Sequence, residues 1–344
     1  MREQIQSEAV KIALDNKSGT LDVAVRSGKT FIGLSIANEF DKVLVSYPNI
    51  SIKESWLNDA EKFDKNLTGI TFTTHISLDK FNLKDFDAVI LDEIHDIALP
   101  KWEFIASNPP KRLYGLSGTV PNNGLKRQYI NKYCPIIYSV KLDETVGVLQ
   151  KDYEIIVHLL EPSTKQDIPL KSGKFWSEKA KIAFWDNKYN SSHDFMNMLQ
   201  LIQTIQNSKT KMDYVKKLSN KMDRGLIFLE TTKQCEDLKE LSYHSKDKNS
   251  EKNLTLFQQG IINKLSCVKQ LSAGITFKDL NECIILHSYA SNNKTHQRLA
   301  RCLQYSKDVA AIHIIGLKGT RDEQWIRKGI AEFDKTKIKY ENKF

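Results

Sequence analysis

Cysteine is scarce in this chain. The five that occur (Cys134, Cys235, Cys267, Cys283 and Cys302) are odd in number and form no C-x-x-C pair. A disulfide framework or a structural zinc site needs paired or clustered cysteines, so neither is expected. Buried thiols in a reducing compartment are expected instead. Long apolar runs are missing too. The longest, Ala88–Leu91 and the stretch 310–317, fall far short of the about 20 residues that span a bilayer. The opening residues MREQIQSEAVKIAL carry charges throughout and hold no apolar core, which argues against a signal peptide. No internal repeat and no low-complexity tract is visible. These absences speak against membrane and secreted classes and leave a cytoplasmic location as the expectation.

What is present is a chain of 344 residues, 40% apolar and 27% charged. At about 150 residues per domain this implies two globular domains, each large enough for its own core. The formal charge is +9. Such an excess suits a polyanionic partner.

Short apolar runs alternate with helical patterns, the signature of parallel α/β architecture. Strands are predicted at 21–25, 42–47, 69–73, 87–91 and 112–116, with helices over 29–40 and 52–63. The rhythm restarts with predicted strands at 153–160, 225–230, 264–268, 282–287 and 310–315. Helices are predicted over 232–241, 294–304 and 321–333. The domain boundary is placed near Gly147, giving domains of 1–147 and 148–344. The segment 162–224 breaks the rhythm and reads as helices near 175–189, 192–206 and 209–221. It holds 12 Lys and Arg against 6 Asp and Glu, together with Phe175, Trp176, Phe184, Trp185, Tyr189, Phe195 and Tyr214. Basic residues among aromatics suit a groove for a single nucleic-acid strand. A plain helical core accounts for the rings equally well. On the first reading Lys209, Lys211, Lys216 and Lys217 would contact DNA.

The stretch 21–40 reads as strand, short loop and amphipathic helix, with Arg26-Ser27-Gly28-Lys29-Thr30 at the turn. Backbone N–H groups at such a helix start cradle phosphate oxygens. Lys29 would reach the β- and γ-phosphates of ATP, and the Thr30 hydroxyl would ligate Mg²⁺. The first glycine of the usual phosphate-loop pattern is replaced by Val23. Downstream, the apolar run 88–91 ends in Asp92-Glu93-Ile94-His95. Carboxylates at the carboxyl end of a buried strand emerge where ligands of open α/β sheets sit. Asp92 would hold Mg²⁺, and Glu93 would orient or deprotonate the attacking water.

With both signals in place the chain resembles a superfamily-2 helicase or translocase of the DExH kind. Arg2-Glu3-Gln4 resembles the adenine-reading element, which makes Gln4 a nucleotide contact. Val45-Ser46-Tyr47-Pro48-Asn49, followed by Trp56, and Phe72-Thr73-Thr74-His75 resemble turns that touch the nucleic-acid backbone. That resemblance implicates Pro48, Asn49, Thr73 and Thr74. Leu116-Ser117-Gly118-Thr119 resembles the motif that links ATP to nucleic acid, with His95, Ser117 and Thr119 as coupling residues. Arg224–Leu229 with Thr231-Thr232 resembles the strand that opens the second motor domain. The run 269–277 resembles the fifth motif and implicates Gln270 and Ser272 for nucleic acid and Gly274 for nucleotide. The run 296–304 resembles the last motif and implicates Gln297, Arg298 and Arg301 in catalysis. Ala300 and Gln304 stand there in place of a glycine and a final arginine.

The resemblance implies two tandem RecA-like domains, each a mostly parallel sheet flanked by helices, with the basic helical segment at the start of the second. It implies ATP and Mg²⁺ as cofactors, an interdomain cleft for hydrolysis, and movement along or unwinding of DNA. The DNA would be single-stranded, forked or duplex. A monomer is expected, working beside replication or repair proteins, in a bacterium or a phage-infected cell. Two alternatives stay open: an RNA helicase, and a nucleic-acid-binding scaffold with an impaired ATPase.

Overall fold

The computed structural model describes residues 1–343 apart from 25, 148, 170–172, 174, 269–276, 278–279, 288–307 and 332. The chain divides into two compact units, one built on residues 1–150 and the other on the described residues from Lys151 onward.

The first unit carries β1 (Ser18–Val23), β2 (Val43–Tyr47), β3 (Ile70–Thr74), β4 (Ala88–Asp92), β5 (Leu113–Ser117) and β6 (Ile136–Val140). They form one sheet in the order β3-β2-β4-β5-β1-β6, and every pairing is parallel. β2, β4 and β5 are buried along their whole length. That burial matches their apolar runs, since strands covered on both faces need no polar alternation. Side chains still alternate between faces. Val45, Ile90 and Leu116 join one core cluster, and Leu44, Val89, Leu91 and Leu113 join another. The first cluster packs residues of α1 (Arg2–Asp15), α2 (Lys29–Ala37) and α3 (Ile50–Lys62), and the second those of α4 (Leu99–Ser107) and α5 (Gly124–Tyr133). Each fully buried Leu, Ile or Val side chain contributes about 1.5–3 kcal/mol.

The second unit carries a seven-stranded sheet that is also wholly parallel. In chain order its strands are β7 (Asp152–Leu160), β10 (Gly225–Leu229), β11 (Ser242–Tyr243), β12 (Lys264–Val268), β13 (Glu282–Ile285), β14 (Val309–Leu317) and β15 (Ile338–Lys343). They lie in the order β11-β12-β10-β13-β14-β7-β15. β6, β11 and β15, all edge strands, escaped the sequence reading: β11 is two residues long, β15 has charged residues through its run, and the short apolar run Ile136-Ile137-Tyr138 of β6 went unread. The predicted helix over 294–304 lies outside the described residues. The predicted helices over 29–40, 232–241 and 321–333 end early, at Ala37, Leu238 and Gly329, whereas that over 52–63 matches α3 to within two residues at each end.

The segment 162–224 differs from its prediction at one end. β8 (Gln166–Pro169) and β9 (Phe175–Ser177) pair antiparallel, so Phe175 and Trp176 sit on a strand. The helix starts only at Glu178, because the Ser177 hydroxyl caps it by accepting the Ala180 N–H. α7 (Glu178–Ser192), α8 (Phe195–Gln206) and α9 (Lys209–Lys221) follow. α9 corrects the role expected of Lys211. That side chain is fully buried, with Nζ 2.8 Å from Asp322 Oδ2. Lys211 is therefore a core ion-pair partner and no surface contact for DNA, whereas Lys209 and Lys217 are exposed.

Candidate active site

Parallel strands deliver their carboxyl ends to one edge of a sheet, and in the first unit that edge gathers most of the residues expected there. β1 leads through Arg26 and Ser27 to Gly28, and α2 begins at Lys29. Arg26 has φ 68° and Gly28 φ 87°, so the loop turns through left-handed backbone. A side chain at position 28 would also meet Gln6 Nε2 at 2.3 Å. The left-handed φ is what favours glycine there, since the Gln6 side chain could swing aside. The Ser27 hydroxyl is buried and has no hydrogen-bond partner among the described residues. A buried hydroxyl without a partner at a helix start suits a phosphate oxygen.

β4 ends on Asp92, and Glu93 follows with φ 51°. That left-handed turn brings Glu93 back toward the phosphate loop, where its Oε1 lies 2.7 Å from Lys29 Nζ. The two side chains are 16% and 18% exposed. Burial works against the charge on Lys29, but Glu93 and Asp92 beside it outweigh burial and raise its pKa. Burial likewise pushes Glu93 up, and Lys29 with His95 overcomes it and holds Glu93 below the usual range. Asp92 goes the other way, up to about 6, first through burial and then through the Glu93 charge.

Asp92 is held by two donors. The indole N–H of Trp56, on α3, reaches its Oδ2 at 2.8 Å, and the Glu93 N–H reaches its Oδ1 at 3.0 Å. A carboxylate has about four lone-pair positions, so acceptor capacity for a metal-bound water remains. Trp56 attains this position because α2 carries Gly33 against it, where a Cβ would come within 2.4 Å of the indole. Thr30, the other expected magnesium ligand, lies beside Asp59 of α3, whose pKa burial raises against the influence of Lys62 and Thr30. These groups fit Mg²⁺ and a nucleotide phosphate, with Asp92 and Thr30 as the holding residues.

His95 sits in the short turn after Glu93, with Nδ1 2.8 Å from Ser117 Oγ at the end of β5. The same hydroxyl accepts the Thr119 N–H. Burial lowers the His95 pKa despite the acids around it, which favours the neutral ring. Lys126 holds the turn by donating to the His95 carbonyl at 2.7 Å.

Pro48 and Asn49 follow β2, and Thr73 and Thr74 end β3. These strands pair with Tyr47 opposite Thr74, so the two turns lie side by side at the same sheet edge. Thr73 is buried and Asn49 exposed.

Gln4 is the glutamine expected at the nucleotide. It is exposed and hydrogen-bonds Glu8 on its own helix. The glutamine that reaches the phosphate loop is Gln6, whose Nε2 donates to the Ser27 carbonyl at 3.0 Å. Helical phase carries the signal for this, since Gln6 shares the buried face of α1 with Ile5, Ala9 and Ala13. Trp56, Asp59 and His75 were also missed as site residues, and only tertiary packing reveals them. Gln270, Ser272, Gly274, Gln297, Arg298 and Arg301 lie outside the described residues.

No protein-family model matches the chain. The chain is similar to the DNA 3'-5' translocase XPB2 of Sulfurisphaera tokodaii, at 22% identity over 94% of this chain and 83% of that protein. Among solved structures it is similar to the Hef helicase domain of Pyrococcus furiosus. The TM-score is 0.52 at 14% identity, covering 94% of this chain and 96% of that one. It is also similar to the ATP-dependent Type ISP restriction-modification enzyme LlaBIII, solved bound to DNA. There the TM-score is 0.61 at 14% identity, covering 98% of this chain and 31% of that much longer one. Together with the two wholly parallel sheets, these likenesses establish the fold as tandem RecA-like α/β domains.

Proposed function

We propose that this chain is an ATP-driven motor of superfamily 2 that moves along or unwinds DNA, with domains over 1–147 and 148–344. The observation that carries the reading is the Lys29–Glu93 pair, 2.7 Å long, beside Asp92 and the Ser27 hydroxyl, which has no partner among the described residues. A lysine at a helix start that is held by a catalytic-type carboxylate is poised to exchange that partner for phosphate. The exchange frees Glu93 to orient a water and take its proton. Mg²⁺ on Asp92 and Thr30 would supply neutralising charge at the phosphates. The Ser117–His95–Glu93 chain of contacts gives the acid a physical link to the end of β5. Gln297, Arg298, Arg301, Gly274, Gln270 and Ser272 enter this reading on sequence alone, the arginines as stabilisers of charge on the transferring phosphoryl group.

DNA as the track is supported by the +9 charge and by the similarity to a DNA translocase along 94% of the chain. The test is steady-state ATP hydrolysis without nucleic acid, with single- or double-stranded DNA, and with RNA. DNA is expected to stimulate turnover, and Glu93→Gln to lower it by about 100-fold or more. Stimulation by RNA alone replaces the DNA assignment. Nucleic-acid binding with no turnover under any condition replaces the motor with a scaffold.

A further inference from the structure

The second unit displays aromatic rings that its core does not need. Phe175 on β9 is 53% exposed and Phe184 on α7 is 37% exposed. Phe184 belongs to an aromatic cluster, whereas Phe175, one residue before Trp176 on β9, points to the other face of its strand. The ring centroids of Trp176 and Phe184 lie 4.8 Å apart, and those of Phe184 and Trp185 lie 5.1 Å apart. Trp185 packs against the core of its unit and so anchors the group. Contiguous exposed rings on a folded domain mark a binding surface.

The unengaged charges of α7 are of one sign. Lys188 Nζ lies 5.0 Å from the Phe184 ring and 5.4 Å from the Trp185 ring. Lys179 and Lys181 stand on the same helix. None of these three lysines forms an ion pair among the described residues. The two acids of this helix are already engaged. Glu178 is buried and accepts the Ser163 N–H, and Asp186 is paired with Arg321.

We propose that this face of β9 and α7 binds a single nucleic-acid strand by stacking its unpaired bases on Trp176 and Phe184. A protein-docking patch has no need of lysines alone at its rim, whereas a strand presents phosphates and flat rings together. Lys188 would leave the ring face for a phosphate when a base takes its place. Bases inside a duplex are stacked on each other, so the surface selects unpaired ones. The proposal rests on the motor reading and adds where the strand is gripped. The grip is through rings of β9 and α7, and the buried Lys211 has no part in it.

The test measures binding of the full chain to labelled oligothymidine and to a blunt duplex by fluorescence anisotropy over a salt series. Phe184→Ala is expected to weaken oligothymidine binding about 5-fold or more. Its slope against salt and its duplex affinity should match the parent. Lys188→Gln should reduce the salt slope by about 0.7. Trp176→Ala, on the neighbouring strand, should behave as Phe184→Ala and guards against misfolding of the latter. Parental oligothymidine affinity in both alanine variants overturns the proposal, and DNA-stimulated hydrolysis by the parent would then leave the motor reading standing. Equal losses on duplex and single strand also overturn it. A parent chain that binds no nucleic acid overturns both readings.

Discussion

Lys211 and Asp322 are each fully buried, and each is tolerable only beside the other. Asp322 Oδ2 also accepts the Leu317 N–H at 3.1 Å. Burial pushes the Asp322 pKa up, but Lys211 and His287 outweigh it and hold the group below its ordinary value. Removing one partner strands the other charge in the core. Lys211→Met is therefore expected to cost about 3–5 kcal/mol of unfolding free energy in denaturant titrations. Lys211→Met combined with Asp322→Asn keeps an acceptor for Leu317 and should recover part of that loss. Equal losses in the single and double variants would show that the pair is not what holds α9 in place. Sequence alone could not separate Lys211 from Lys209, because the two differ only in which side of α9 faces the core. Gln4 and Gln6 pose the same problem on α1. Residue type was legible there, and helical phase decided which copy reaches the loop.

At the scale of elements, one side chain ties three strands of the first sheet together. His75, at the turn after β3, has Nδ1 2.7 Å from Ser46 Oγ on β2 and Nε2 2.9 Å from the carbonyl of Asp92 on β4. Burial pushes its pKa down to about 4, so the ring is neutral. The carbonyl accepts from Nε2–H, and the Ser46 hydroxyl therefore donates to Nδ1. The ring joins the turns bearing Pro48, Asn49, Thr73 and Thr74 to the peptide that aims Glu93. His75→Ala leaves a buried carbonyl and hydroxyl without partners, at about 1–3 kcal/mol of stability for such a group. Its expected kinetic mark is loss of DNA stimulation, with basal turnover and the KM for ATP nearly unchanged. His75→Gln, which can still donate, should restore part of the stimulation. Equal loss of basal and stimulated turnover would reduce His75 to a packing role. Nothing in the local pattern announced this tie. β2, β4 and β10 were legible because strands buried on both faces read as unbroken apolar runs. The β8–β9 hairpin was not, because Phe175 and Trp176 directly precede a capped helix and join its pattern.

The whole molecule consists of two parallel-sheet units in sequence, and the first alone gathers Lys29, Asp92, Glu93, His95 and Ser117 at one sheet edge. The architecture was legible because alternating strands and helices leave little other than parallel sheets. A phosphate-binding edge of the kind proposed would account for hydrolysis, but a motor must also move. The central claim is that this chain turns the Glu93-dependent step into travel along DNA. Displacement of a labelled third strand from a DNA triplex after ATP addition measures travel directly, without requiring the duplex to unwind. The account predicts ATP-dependent displacement by the parent chain and none by Glu93→Gln at equal DNA occupancy. Displacement at the same rate with Glu93→Gln, or DNA-stimulated hydrolysis by the parent with no displacement, would contradict it.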